Sequence, residues 1–454
     1  MSRLFFDHAL LPDGWARDVT IDIDDQGWIT ALTENGAPDQ PPDHHGAIAI
    51  PGLPNLHSHA FQRAMAGLAE VRGGDNDSFW SWRQTMYKFI ERIDPDDLAA
   101  IARLAYVEML ECGFTGVSEF HYLHHDPNGH AYADVAAMAG AIAEAADQTG
   151  IGLTLLPVFY GNGGFAGAEP DPSQRRFING PESYGRLLDR AQQIIHPLDD
   201  AALGLAPHSL RAVTPETLAR VLALRDRGPV HIHIAEQTRE VDDCLAWSGA
   251  RPVDWLFDNV AIDNRWCLIH ATHMSPAERR RLAASDAVAG LCPITEANLG
   301  DGIFDAVAYV AAGGNLGIGS DSNVLISAAQ ELRLLEYGQR LRDRGRNRLV
   351  GRQASTGRTL FDLALAGGAQ ASGRKIGQLA VGYRGDVVAL DQNHPAMVCR
   401  SGDDWLDGWI FAADKEVISE VWVGGRRVVA EGRHVAREQA RQGFEQVLRG
   451  LLSS

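Results

Sequence analysis

Several histidines in this chain fall in pairs or at the ends of apolar runs, where imidazole nitrogens can meet a divalent cation. His57-Ser58-His59 and His231-Ile232-His233 each space two rings by a single residue. In extended backbone that spacing sends both side chains to one face, so each pair can converge on a point. His270 ends another apolar run, Asp321 follows a further one, and Glu236 stands three residues after His233. Imidazoles with a carboxylate suit zinc and related divalent ions, and an ion that keeps one position open for water supports hydrolysis. Spacing alone does not choose between His231 and His233 as a ligand, and one of them can be a core histidine satisfied by hydrogen bonds.

Residues so far apart in the chain need a frame that gathers strand ends at one place. Eight short apolar runs are spaced along the middle of the chain, at 47–56, 114–120, 151–159, 201–206, 230–235, 266–271, 287–292 and 315–319. Near-continuous apolar runs are what parallel strands buried on both faces require. Helix punctuation lies between them: Asp94-Pro95 offers a cap and a proline at the first helical position, with Gly113 closing that helix. Leu98, Ile101, Ala105, Met109 and Cys112 share its predicted inner face. Thr214-Pro215 repeats this start, and Ser275-Pro276-Ala277-Glu278 is a capping-box pattern. Eight strand–helix alternations predict an α/β fold of the (β/α)8 TIM-barrel type, in which catalysis sits at the C-terminal ends of the strands. The rival, a doubly wound open sheet, wants a G-x-G-x-x-G after the first strand, and none occurs.

Both ends of the chain read differently. Asp18-Val19-Thr20-Ile21-Asp22-Ile23 alternates as a half-buried strand should, and Asp386-Val387-Val388-Ala389-Leu390 and Val421-Trp422-Val423, the latter followed by the turn Gly424-Gly425, are also strand-like. The predicted organisation is a small β-sandwich-like domain from residues 1–50 and 374–436, a barrel over 51–373, and a C-terminal helix over 437–454.

The formal charge of −18 argues against a nucleic-acid or anionic-membrane partner but leaves room for a small anionic substrate, because an ion and a few arginines reverse the potential locally. Cys112, Cys244, Cys267, Cys292 and Cys399 are widely spaced and odd in number, which fits reduced thiols. Residues 1–14 lack a basic stretch followed by a sustained apolar one, and no run approaches the ~20 apolar residues of a membrane span. A cytoplasmic protein is expected.

The segment Pro51-Gly52-Leu53-Pro54-Asn55-Leu56-His57-Ser58-His59, His233 with Glu236, then His270 and Asp321, and finally Ile376-Gly377-Gln378-Leu379 with Gly382 and Asp386, resemble the amidohydrolase superfamily over nearly the whole chain. That resemblance implies that His57, His59, His233 and Asp321 hold a metal and that Glu236, His270 and Asp321 act in catalysis. It also selects His233 over His231. Binuclear members bridge two metals with a fourth-strand lysine, but no lysine occurs between Lys88 and Lys375. One divalent ion, taken as Zn2+, is therefore expected. Single-metal members of this pattern typically hydrolyse C–N bonds.

Four further stretches bring the chain nearest to the formimidoylglutamate deiminase family within that superfamily. They are Ala60-Phe61-Gln62-Arg63, Phe79-Trp80-Ser81-Trp82-Arg83, Phe120-His121-Tyr122-Leu123-His124 and Ala206-Pro207-His208-Ser209-Leu210-Arg211. The resemblance implies a dicarboxylate substrate with an amidine-like head, attacked by water that the metal activates while Glu236 shuttles the proton and a neutral His270 hydrogen-bonds the reacting centre. Planar guanidinium groups grip carboxylates bidentately, so Arg83 and Arg211 are candidates for the anionic end, with Gln62, Tyr122 and His208 beside them. Trp80 and Trp82 are expected to pack a lid rather than touch substrate, and the loop residues His124, His125 and His130 are not expected to form a second metal site. A homodimer is expected from the fold. The alternatives are a guanine-type deaminase or chlorohydrolase of the same superfamily and, from another class, a catalytically silent barrel acting as a scaffold.

Overall fold

The computed structural model describes every residue except 37, 39, 72–77, 352 and 454. Strands β1 (Ser2–Leu11), β2 (Gly14–Ile23), β3 (Ile29–Thr33) and β4 (His44–Pro51) come first. Strands β5 (Leu53–Ser58), β6 (Phe114–His121), β7 (Gly152–Phe159), β8 (Ala202–Leu203), β9 (Ala206–Pro207), β10 (Val230–Ile234), β11 (Trp266–His270), β12 (Val288–Leu291) and β13 (Asn315–Ile318) follow, with helices between most of them. Strands β14 (Val387–Leu390), β15 (Ile418–Val423), β16 (Arg426–Ala430) and β17 (Arg433–His434) come last, before a helix over Arg437–Leu452.

The strands from both termini join in one eight-stranded sheet of order β17-β16-β15-β14-β4-β1-β2-β3. Val19, Ile21 and Ile23 are fully buried on it with Phe6 and Trp422, as their apolar pattern requires. The middle of the chain makes two parallel sheets, β5-β6-β7-β8 with β9 beside β7, and β10-β11-β12-β13. Parallel bridges join their edges at both seams: Leu205 to Val230 and Ser209 to His233 at one, Ser58 to Asp321 at the other. The anticipated caps are present. Asp94 accepts from the Asp97 amide at 2.8 Å, Thr214 from Thr217 at 3.2 Å, and Ser275 and Glu278 bond reciprocally at 3.2 and 2.7 Å. Leu98, Ile101, Ala105, Met109 and Cys112 are buried along one helix face.

Two runs differ from the sequence expectation, each for a local reason. The first, 47–56, is divided between sheets, because β4 pairs with β1 and β14 whereas β5 pairs with β6. The chain changes sheet at Gly52, where a Cβ would lie 2.2 Å from Thr115 Oγ1 and Cγ2. The fourth run breaks into β8 and β9 at Gly204, whose Cβ would sit 2.5 Å from Leu156 and from the Pro229 carbonyl oxygen. The five cysteines are free, and all but Cys399 are buried. Among the described residues no helix is long and apolar enough to cross a membrane.

The crossover at Gly52 makes a direct stability prediction. Gly52→Ala forces a methyl into Thr115, and overpacking of this kind costs about 1–3 kcal/mol. An unfolding free energy lowered by that amount in denaturant titration, partly recovered in Gly52→Ala/Thr115→Ala, is expected; an unchanged value in the single variant would show that the crossover is not close-packed.

Candidate metal centre and substrate pocket

His57, His59, His233 and Asp321 come from three separate strand ends and form a buried group whose ligand atoms lie within 4.8 Å of one another. His57 Nε2 is 3.2 Å from His59 Nε2 and 3.1 Å from His233 Nε2. Asp321 Oδ1 is 3.5 Å from His57 Nε2 and 3.3 Å from His59 Nε2. The other nitrogens set the tautomers, with His59 Nδ1 donating to the Phe120 carbonyl at 2.8 Å and His233 Nδ1 to the His208 carbonyl at 3.0 Å. Both rings therefore turn Nε2 lone pairs toward His57. A single imidazole proton cannot serve all these contacts, whereas a cation at their centre satisfies every donor. Ligands about 2.1 Å from a tetrahedral ion stand about 3.4 Å apart, close to the spacings here. The group fits a divalent metal.

Electrostatics agree with ligands that are ready to bind. Burial pushes the His57 pKa down to about 3 and depresses His59 and His233 as well, so all three rings are neutral. Burial opposes charge on Asp321, yet the hydrogen bond with His57 and the nearby His270 hold its carboxyl well below the usual range. His231, two residues earlier on β10, bonds the Ala371 carbonyl through Nε2 at 2.8 Å and takes no part in the cluster.

Left-handed backbone shapes the strand ends. Ala235, His270, Ala271, Asp321 and Asn323 all have φ between 47° and 65°, an uncommon and strained conformation outside glycine. At Asp321 it is held by two backbone bonds to the first strand, Asp321 N–H to the His57 carbonyl and His59 N–H to the Asp321 carbonyl, each 2.9 Å. A buried amide network secures the same seam. Asn323 Nδ2 donates at 3.1 Å to Ser58 Oγ, the His59 carbonyl and the Asp321 carbonyl. Asn55 bonds Ser320 at both its amide atoms.

Glu236 and His270 face the cluster. Burial pushes the Glu236 pKa up to about 7, with His270 and Arg211 opposing. Its backbone and that of Ala235 donate to the Glu240 carboxylate at 3.1 and 3.2 Å, which fixes the turn after His233. His270 was expected to be neutral. Burial does favour the neutral ring, but Glu236, Glu296 and Asp321 surround it and push its pKa up to about 10. His270 Nδ1 is 3.3 Å from Glu296, and its Nε2 is 3.8 Å from Glu236 and 3.7 Å from Asp321. Glu296 is the group the sequence reading did not single out. The available signal was its place at the start of a helix, after Cys292-Pro293, directly behind the seventh strand.

One pocket contains the proposed chemistry. His59, His233, Glu236, His270 and Asp321 line it, and so do Gln62, Arg83, Tyr122, His208 and Arg211. Gln62 donates to the Tyr122 hydroxyl at 2.8 Å, leaving its carbonyl oxygen buried and unpaired. Among the described residues the Nε atoms of Arg83 and Arg211 are likewise buried without a partner. Trp82 lines this pocket too, whereas Trp80 lies beside it against the arginines. Tyr87, Tyr160 and Phe177 complete an aromatic wall that the sequence did not mark. His124 and His125 are tied to the carbonyls of Val158 and Ile178, and His130 sits beside Asp126; none belongs to a metal-capable group among the described residues.

With this geometry established, similarity to known proteins becomes informative. Residues 48–428 match the model of the amidohydrolase family, and residues 1–47 match that of the formimidoylglutamate deiminase HutF N-terminal domain. Formimidoylglutamate deiminase of Pseudomonas aeruginosa is 55% identical over 456 residues, with 100% of each chain covered. The crystal structure of an amidohydrolase from Brucella melitensis superposes with a TM-score of 0.95 at 50% identity, again over 100% of both chains. An adenosine deaminase from Xanthomonas campestris with bound zinc shares the fold at a TM-score of 0.79 and 22% identity, covering 98% of each chain. The chain belongs to the amidohydrolase family.

Proposed function

We propose that this chain is a formimidoylglutamate deiminase, hydrolysing N-formimidoyl-L-glutamate to N-formyl-L-glutamate and ammonia in histidine degradation. Full-length identity of 55% to such an enzyme supports this. The structural observation that carries it is a pocket lined both by His59, His233 and Asp321 of the metal-capable cluster and by two guanidinium groups whose Nε atoms have no partner among the described residues. The aromatic wall could also accommodate a ring, as in a purine-type deaminase. The arginines, without an ion pair among the described residues, favour carboxylates, which match the guanidinium fork. A scaffold reading has no use for a complete ligand set.

The two parallel sheets, bridged at both seams, support a (β/α)8 barrel over residues 51–373, while the terminal strands make a small β-domain of one continuous eight-stranded sheet in place of the expected sandwich. We assign the ion as zinc, on the three-imidazole and carboxylate donor set and on the zinc in the adenosine deaminase neighbour. Held by His57, His59, His233 and Asp321, it supplies Lewis acidity and activates water as a nucleophile at neutral pH.

The chain's own groups move the protons. Water adds to the formimidoyl carbon, and Glu236, with a pKa near neutrality, takes up its proton. Glu236 delivers this proton, and then the remaining hydroxyl proton, to the terminal nitrogen, and the C–N bond breaks as the C=O bond forms, leaving the N-formyl product and ammonia. Asp321 receives hydrogen bonds from the attacking water as well as closing the ligand set. His270, held by Glu296, stands between Glu236 and Asp321 and donates to the oxygen that gains charge. Arg83 and Arg211 bind the two carboxylates, while Gln62, Tyr122 and His208 orient the head.

Three measurements test this reading. Glu236→Gln is expected to keep one equivalent of metal while kcat falls about 10²–10⁴-fold; wild-type turnover removes Glu236 from the proton path. Arg211→Met and Arg83→Met are expected to raise KM for the dicarboxylate substrate at least tenfold, and unchanged values would overturn the carboxylate assignment. Chelation is expected to abolish activity and lower Tm, with both restored by one equivalent of zinc. Full activity after complete metal removal contradicts the proposal.

A further inference from the structure

Arg83 and Arg211 meet at one indole; Asp171 lies within electrostatic range of Arg83 and Glu240 within that of Arg211, but neither carboxylate reaches ion-pair distance, so something else must hold two like charges there. Among the described residues neither forms an ion pair, and each has a buried Nε without a hydrogen-bond partner. What they share is Trp80. The Arg83 guanidinium carbon lies 4.9 Å from the centroid of that indole and the Arg211 carbon 5.6 Å from it. A third arginine, Arg239, lies 4.9 Å from the same ring. Arg83 is also 5.4 Å from the ring centre of Tyr87. Arg239, largely exposed, is 3.5 Å from Asp243 and so has a carboxylate of its own. The negative charges felt by Arg211 are those of Glu236 and Glu240, and Glu240 is engaged with the amides of Ala235 and Glu236.

We propose that Trp80 is a positioning residue for substrate specificity: its indole face holds Arg83 and Arg211 in place while leaving their N–H groups free for the two carboxylates of the substrate. A carboxylate partner would hold the arginines equally well, but it would occupy the donors that the substrate needs. An aromatic face attracts the cation through its quadrupole and accepts no in-plane N–H. Trp80 lies in the first turn of the helix Phe79–Phe89, which also carries Arg83, while Arg211 follows the fourth strand and Arg239 belongs to the helix Thr238–Ser248. The ring is thus the meeting point of three segments that are separate in the chain. Its contribution is to preorganisation, which lowers the cost of binding without touching the reacting atoms.

This inference rests on the reading that Arg83 and Arg211 bind carboxylates, and the test separates the two. Trp80→Phe keeps an aromatic face; Trp80→Leu keeps apolar bulk alone. Both zinc-loaded variants are compared with wild type, Arg83→Met and Arg211→Met on N-formimidoyl-L-glutamate and on N-formimidoylglycine, which has one carboxylate, with metal content and Tm measured alongside. Trp80→Leu is expected to raise KM for the dicarboxylate about tenfold with kcat changed less than about threefold, and to affect the monocarboxylate much less. Trp80→Phe is expected to recover most of the loss. If the arginine variants raise KM but Trp80→Leu leaves it within twofold, or if Trp80→Phe is as impaired as Trp80→Leu, the role of the indole face is wrong and the carboxylate reading stands. If neither arginine variant raises KM, the carboxylate reading fails and this inference fails with it. Equal loss on both substrates, or a fall in kcat with metal content, assigns Trp80 to packing and overturns the proposal.

Discussion

Four donors that repel one another are buried together in this molecule, and much of the architecture around them counters that repulsion. Three neutral imidazoles and an ionised carboxylate, all nearly inaccessible to water, turn electron pairs toward a common centre. Burying such groups without a cation is costly, because each loses hydration and gains no partner. The compensation is structural. Carbonyls of Phe120 and His208 hold two rings, the Asn55–Ser320–Asn323 amides hold the seam between first and last strands, and paired backbone bonds hold Asp321 in a left-handed conformation. These supports lie behind the ligands, as outer-shell partners of metal sites usually do.

The same cluster accounts for the behaviour of the neighbouring acid and base. Burial pushes Glu236 toward neutrality, with Glu240 and Asp321 adding to it, while the three carboxylates around His270 hold that ring charged against its own burial. A poised acid next to a cationic donor is the division of labour that hydrolysis of an amidine requires, since one group must exchange protons and the other must stabilise charge. Glu296 decides the second half of that arrangement. Its carboxylate fixes His270 Nδ1 as a donor and leaves Nε2 facing Glu236 and Asp321.

Much of this was legible in the residues before any coordinates. The H-x-H pair, the strand-end His270 and Asp321, and the cap residues Asp94, Thr214 and Ser275 are local patterns, set by spacing within a strand or one helical turn. What the sequence did not reveal is set by contacts across the fold. The division of the first apolar run at Gly52 depends on Thr115, and the charge of His270 depends on Glu296, 26 residues away in the chain. The aromatic wall of Tyr87, Tyr160 and Phe177 comes from three segments with no shared motif. His231 and His233 show the limit most clearly: they are identical in type and share one strand face, yet the Nε2 of one meets the Ala371 carbonyl and the Nε2 of the other meets the cluster.

A chain of net charge −18 that binds a dianion must rely on short-range electrostatics. At physiological ionic strength exposed charges are screened beyond about 8 Å, so the acidic surface barely reaches a buried pocket. Inside it Arg211 is buried and Arg83 half-buried, so their charges act at a lower effective dielectric than exposed ones and count for more. On the proposed reading the substrate is recognised at both ends by positive charge: an ion held by the cluster at the amidine head, and two arginines at the carboxylates. The anionic surface then costs little in affinity, because selection takes place only where water has been excluded.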